Sequence, residues 1–106
     1  MTSRTTHRFR EAYGRLPEHV RRRAREAYRR FKSDPSHPSL RFKKVHAIEP
    51  IYAARVGLGY CALAVLDADV AVWFWIGTHA DYDHLLRTLR AIAPNHGIQP
   101  TAFGRG

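Results

Sequence analysis

His79 and Tyr82 stand at i and i+3 in the stretch Gly77-Thr78-His79-Ala80-Asp81-Tyr82-Asp83. In a helical segment that spacing points both side chains the same way. Imidazole titrates near neutrality and serves as a general base or acid. The pair also reads as a helix-capping histidine beside a core tyrosine, and both readings stand at this point. Arg55 interrupts an otherwise apolar run, Ile51-Tyr52-Ala53-Ala54-Arg55-Val56. A cation inside such a run costs free energy unless it is paired or faces solvent in a cleft. One reading bonds it to a carboxylate such as Asp67. The other makes it a phosphate clamp, for which the planar fork of arginine is suited. Arg41 and Lys43 extend the same positive charge along the neighbouring segment.

Other chemistries find little support. The histidines are His7, His19, His37, His46, His79, His84 and His96. None pairs with another or with Cys61 at ligand spacing, and no HExxH occurs, so no metal site is expected. No phosphate-binding glycine loop is present either, and no cofactor is expected. Cys61 reads as a small core or cleft residue rather than a nucleophile.

Charge narrows the partner. Eighteen Lys and Arg against nine Asp and Glu give a net charge of +9 and a pI near 10.6. At that charge a compact domain repels itself unless a partner neutralises it. Nucleic acid is the leading candidate, with RNA first, because phosphate contacts dominate its binding. An acidic membrane or an acidic inhibitor protein offers the same complement. One cysteine allows no intrachain disulfide, so nothing asks for an oxidising compartment. The start, Met-Thr-Ser-Arg-Thr-Thr-His-Arg, has no apolar signal core. The run Val70 to Ile76 is far too short to span a bilayer. A cytoplasmic protein with no membrane partner is expected.

The elements that must hold these residues can be read from periodicity. A length of 106 residues fits one domain, 1–106. Residues 1–6 read as a polar, frayed start. Phe9, Ala12, Tyr13 and Leu16 recur at helical spacing, and Leu16-Pro17 ends that helix. Pro17 then opens a second helix whose apolar stripe is Val20, Ala24, Ala27, Tyr28 and Phe31. Its other face carries Arg21, Arg22, Arg23, Arg25, Arg29, Arg30 and Lys32. That face is open to three readings: a solvated surface, an RNA contact, or a seat for an acidic partner. Strands are predicted over Ser39–Val45, Ile51–Val56, Tyr60–Leu66 and Val70–Ile76, the last lying centrally. A closing helix runs from Ala80 to Ile92 with Leu85, Leu86, Leu89 and Ile92 on one face, and residues 94–106 form a loose tail. The expected fold is α+β: an N-terminal helical hairpin packed on a small twisted antiparallel sheet, with a short C-terminal helix.

Several stretches together resemble the RelE/ParE family of toxins from bacterial type II toxin–antitoxin systems. They are Leu16-Pro17, Asp34-Pro35-Ser36-His37-Pro38-Ser39-Leu40, Arg41-Phe42-Lys43-Lys44, Tyr52 to Tyr60, and Trp73 to Asp83. The resemblance runs over about residues 8 to 90. It implies a cognate antitoxin that masks the basic surface. It also implies one of two activities. RelE-like members are ribosome-dependent ribonucleases that cut mRNA by attack of a ribose 2′-OH on the adjacent phosphate. ParE-like members poison DNA gyrase. A non-catalytic RNA- or partner-binding domain of the same fold is the third reading. For the ribonuclease, the resemblance implies Arg55, His79 and Tyr82 as catalytic residues. His79 would be base or acid, Arg55 the phosphate clamp, and Tyr82 a group that stacks on or hydrogen-bonds the nucleotide. Arg41, Lys43, Lys44 and Tyr60 would contact RNA. Many relatives carry arginine directly after the tyrosine of the third strand, where this chain has Cys61. That departure removes a donor fork from the site.

Overall fold

The computed structural model describes residues 1–92. The tail expected from residue 94 onward lies outside the described residues. Strand β1 (Thr2–Thr5) leads into α1 (His7–Gly14) and α2 (Glu18–Ser33). A short 3-10 turn, Pro38–Leu40, precedes β2 (Lys43–Lys44). A meander follows: β3 (Ile51–Gly57), β4 (Tyr60–Asp67) and β5 (Val70–Thr78). Helix α3 (His79–Ile92) closes the described chain.

The strand order is β1-β5-β4-β3-β2. Neighbours pair antiparallel except β1, which runs parallel to β5 with Thr2 opposite Val70 and Thr5 opposite Trp73. The sheet is therefore mixed, and the polar start is a strand instead of a frayed end. Its two threonines suit extended backbone. Backbone bonds then fix it, Thr2 N donating to Asp69 O and Thr6 N to Trp73 O, each at 3.0 Å. Thr6 next caps α1, its Oγ1 accepting from Phe9 N at 3.1 Å. The strand expected over Ser39–Val45 shrinks to two residues. Pro38 starts the 3-10 turn, His37 Nδ1 accepts from Ser39 N at 3.2 Å, and Arg41 leaves the turn at φ 46°. That left-handed residue breaks the extended run.

Helices cover both faces of the sheet. This explains why Cys61, Ala62, Leu63 and Ala64 are all buried in succession. The face under α1 and α2 holds Phe31, Leu40, Ala54, Val56, Ala62, Ala64, Ala71, Trp73 and Ile76. Alanines along the strands let α2 approach, and Phe31 fills the gap with its ring edge-on to Phe42 and Trp73 at 4.9 and 5.2 Å. The face under α3 holds Val45, Ile51, Ala53, Cys61, Leu63, Tyr82 and Leu86. In β5, Leu63 pairs with Trp75 while Ala64 pairs with Trp73, which leaves Phe74 as an extra residue. The bulge turns Trp73 and Ile76 to the hairpin side and packs Phe74 and Trp75 on the α3 side. β4 is the central strand and β5 lies beside it.

Phe31 is 2% exposed. Phe31→Ala is expected to cost about 3–5 kcal/mol. At roughly 4–8 °C per kcal/mol for a domain of this size, thermal unfolding would show a fall in Tm of more than ten degrees.

Candidate active site

The site forms where β3, β4 and β5 end beneath the start of α3. Arg55 on β3 lies directly opposite Cys61 on β4, and Cys61 lies opposite Gly77 on β5. Paired residues share a face, so Arg55 and Cys61 point to the α3 side. Gly77 adds no side chain there. An added Cβ would meet Trp75 Cζ2 at 2.7 Å, because the indole folds over that glycine. One residue past β5, His79 opens α3, and its backbone N–H donates to Gly59 O at 2.7 Å. That bond ties the first turn of the helix to the β3–β4 turn.

His79 Nδ1 lies 3.7 Å from Cys61 Sγ, and His79 Nε2 lies 3.7 Å from Asp83 Oδ2. The His79 side chain is 64% exposed, so its outer edge is open to a substrate. Cys61 is buried. Burial, and then the negative charge of Asp83, push its thiol up to about 11 against the opposing pull of Arg55. At neutral pH the thiol keeps its proton and acts as a donor. A donating thiol matches the tautomer in which Nδ1 accepts and Nε2, on the Asp83 side, carries the proton.

Tyr82 lies under this cluster, its ring centroid 5.4 Å from that of His79. It is 8% exposed, which makes it a supporting core residue instead of a free stacking surface. Burial, with the charges of Cys61 and Asp83, raises the phenol while Arg90 opposes. Arg55 is exposed, and among the described residues no carboxylate comes within ion-pair distance of it. Asp67 sits at the far end of the β3–β4 pair, where Ile51 meets Val65, so it is no partner for Arg55. Lys43 pairs with Ala53 and shares the Arg55 face. Lys44 pairs with Tyr52 on the other face, and Tyr60 packs on the hairpin side. Arg41 stands apart, beside α2. The structure thus gathers His79 and Tyr82 around Cys61, with Arg55 opposite it and Lys43 farther along the same face, and leaves Arg41, Lys44 and Tyr60 outside. It adds Cys61 and Asp83. The i, i+4 spacing of His79 and Asp83 was the available signal for the second.

The Cys61 environment has a pH signature. Folding keeps the thiol protonated up to about 11, whereas an ordinary thiol near 9.0 releases its proton earlier. Between these values the folded state binds more protons than the unfolded state. Stability should therefore fall as pH rises from about 9 to 11. Urea unfolding across that range would show it, with a shallower fall in Cys61→Ala.

A model of the ParE-like toxin domain matches residues 18–84, more than half the chain. This chain belongs to that family. Among solved structures, the toxin-like chain resembles one in the RelB–RelE antitoxin–toxin complex from Methanococcus jannaschii, at TM-score 0.63 and 20% identity. That match covers 76% of this chain and 96% of the other. YafQ from E. coli strain BL21(DE3) matches at TM-score 0.62 and 9% identity, over 76% and 94% of the two chains. A copper-bound mutant toxin from Helicobacter pylori matches at TM-score 0.54 and 11% identity, over 76% and 97%. Identities this low carry the fold alone. No curated protein sequence matches this ParE-like chain. No helix among its described residues is long and apolar enough to cross a membrane.

Proposed function

We propose that this ParE-like domain is the toxin of a toxin–antitoxin pair and that it cuts mRNA on the ribosome. The observation that carries the reading is the exposed His79 imidazole against Cys61, whose cross-strand partner Arg55 has no ion-pair partner among the described residues. In-line cleavage needs three things. A base removes the 2′-OH proton, cations stabilise charge on the phosphate, and an acid protonates the leaving 5′-oxygen. As the O2′–P bond forms, the P–O5′ bond breaks, leaving a cyclic phosphate and a 5′-hydroxyl. His79 Nε2 moves a proton at one of these oxygens. Arg55 and Lys43 neutralise the phosphate, and Tyr82 supports the imidazole from below. The Cys61 thiol lies against Nδ1 and leaves Nε2 on the Asp83 side.

The inhibitor is a cognate antitoxin, as the RelB–RelE pairing of a structural relative suggests. A cleft of about 600 Å³ between the helical hairpin and the sheet is floored by Phe9, Tyr13, Phe31 and Trp73 and rimmed by Arg4, Arg10 and Arg25. An apolar floor with a basic rim suits an acidic amphipathic segment.

Gyrase poisoning is the second reading, favoured by the ParE-like family description and by Cys61 standing where the resemblance implies arginine in many members. Induction of the chain in a bacterial host, with mRNA 5′ ends mapped by primer extension, separates the two. New ends in translated messages support the nuclease. Growth arrest with intact messages and a DNA-damage response supports gyrase.

A further inference from the structure

The arginine face of α2 divides into two parts. Arg21 and Arg25 are neutralised close to home, with Nη2 atoms 2.8 and 3.3 Å from the Glu18 carboxylate. Arg25 also donates to Tyr13 Oη at 2.9 Å, and Lys32 lies 5.9 Å over the Tyr28 ring. Arg23 and Arg30 make no such contacts. They turn instead into a cavity of about 440 Å³ between α2, the Pro38–Leu40 turn and the end of β3. Arg41 and Arg55 line the same cavity, and Glu26 is its one carboxylate. None of these four arginines has an ion-pair partner among the described residues.

We propose that Arg23, Arg30 and Arg41 form a groove that grips the sugar–phosphate backbone of RNA. The inference rests on the RNA-directed reading above and extends it to a second surface. Two positive-φ residues, only one of them strained, shape the groove. Arg41 is held at φ 46°, in the left-handed region that side-chain-bearing residues avoid. Gly57, at φ 150°, leaves room for Arg23, whose Cδ would sit 2.9 Å from an added Cβ. Both features shape this one cavity. Arginines line it beside the small apolar side chains of Ala27, Leu40 and Val56, and guanidinium forks match phosphate geometry. It lacks the aromatic floor of the hairpin cleft that would hold a protein segment. Arg55 borders the groove from the end of β3 and its cross-strand partner is Cys61 on the α3 face, so the groove and the His79 site adjoin the same strand end from opposite faces of the sheet.

The test is binding of a fluorescein-labelled, single-stranded 2′-O-methyl RNA, which lacks the attacking hydroxyl, measured by anisotropy over a series of salt concentrations. Each phosphate contact to a single strand contributes about 0.7 to the slope of log K against log salt. Arg23→Ala/Arg30→Ala/Arg41→Ala should lower that slope by about two and weaken binding roughly tenfold or more at low salt. Arg8→Ala/Arg22→Ala/Arg29→Ala removes the same charge from residues that line neither groove, and should change the slope much less. An equal loss in both variants would overturn the groove, because net charge alone would then explain it. So would a groove variant that binds RNA normally and fails to bind the antitoxin. Binding to message-free ribosomes distinguishes the source of the phosphates. Weakening there assigns them to ribosomal RNA, and weakening confined to the oligonucleotide assigns them to the message. The cleavage reading fails separately. A groove that binds as expected in a chain that cuts no message would leave this inference standing without it.

Discussion

His79→Ala will remove new 5′ ends from translated messages and leave the fold intact. A positioned acid or base contributes about 10²–10⁴-fold to a proton-transfer step. Loss on that scale takes a toxin below the level that arrests growth. The fold should survive for two reasons. The side chain is 64% exposed, so little burial is lost, and the bond to Gly59 O comes from the backbone N–H, which alanine keeps. Asp83→Asn should act more gently. Asp83 stands 3.7 Å from Nε2, a distance at which it orients the ring and takes no part in bond making. The measurement is the cleavage rate on ribosomes programmed with a defined message, beside a thermal melt of each variant. A His79→Ala chain that melts normally and still cuts would remove histidine from the mechanism. Arrest that persists with intact messages would move the target to gyrase.

The sequence carries the site's residues more readily than their arrangement. His79 and Tyr82 fall at helical spacing, and Arg55 stands out because an arginine in an apolar strand needs a reason. Their meeting with Cys61 depends on pairing register. Arg55 faces Cys61 and Cys61 faces Gly77 only after the β3–β4 turn and the Phe74 bulge have set the alignment. Neither offset has a local signal strong enough to count from. The same dependence removed Asp67 as a partner for Arg55. The two lie twelve residues apart in sequence, yet the hairpin sends them to opposite ends.

The fold divides along the same line. Helices α1, α2 and α3 and strands β3 to β5 bury apolar side chains with a readable period, so composition and spacing reveal them. Strand β1 buries almost none. Its place is decided by backbone bonds to β5, from residue pairs nearly seventy positions apart. The Pro38–Leu40 turn depends on a proline and a histidine side chain bonding the local backbone, which competes with extension. The hydrophobic pattern of Leu40 and Phe42 survives that turn, and this is why a strand was the natural reading. Position alone also joined Arg41 to the phosphate clamp. The left-handed turn at Arg41 sends it toward α2 and leaves Lys43 on the Arg55 face.

Arg55→Ala should slow cleavage about a hundredfold, and Cys61→Arg should recover at least a tenth of that loss in the same chain. Removing one preorganised donor to a transition-state charge typically costs 10²–10³-fold. Arg55 is exposed, lies directly opposite Cys61, and has no ion-pair partner among the described residues. The family resemblance implies an arginine at the position of Cys61 in many members. Because Arg55 and Cys61 are cross-strand partners, a guanidinium from either strand can reach the same phosphate. In the unsubstituted background Cys61→Arg should help little, since two like charges would then crowd one site. The single and double variants need melts, because Cys61 is buried and the new side chain must reach outward past Trp75. If the double variant folds and regains nothing, the two positions do not serve one phosphate. If Arg55→Ala alone leaves cleavage unchanged, the phosphate clamp lies elsewhere, with Lys43 the next residue on that face to replace.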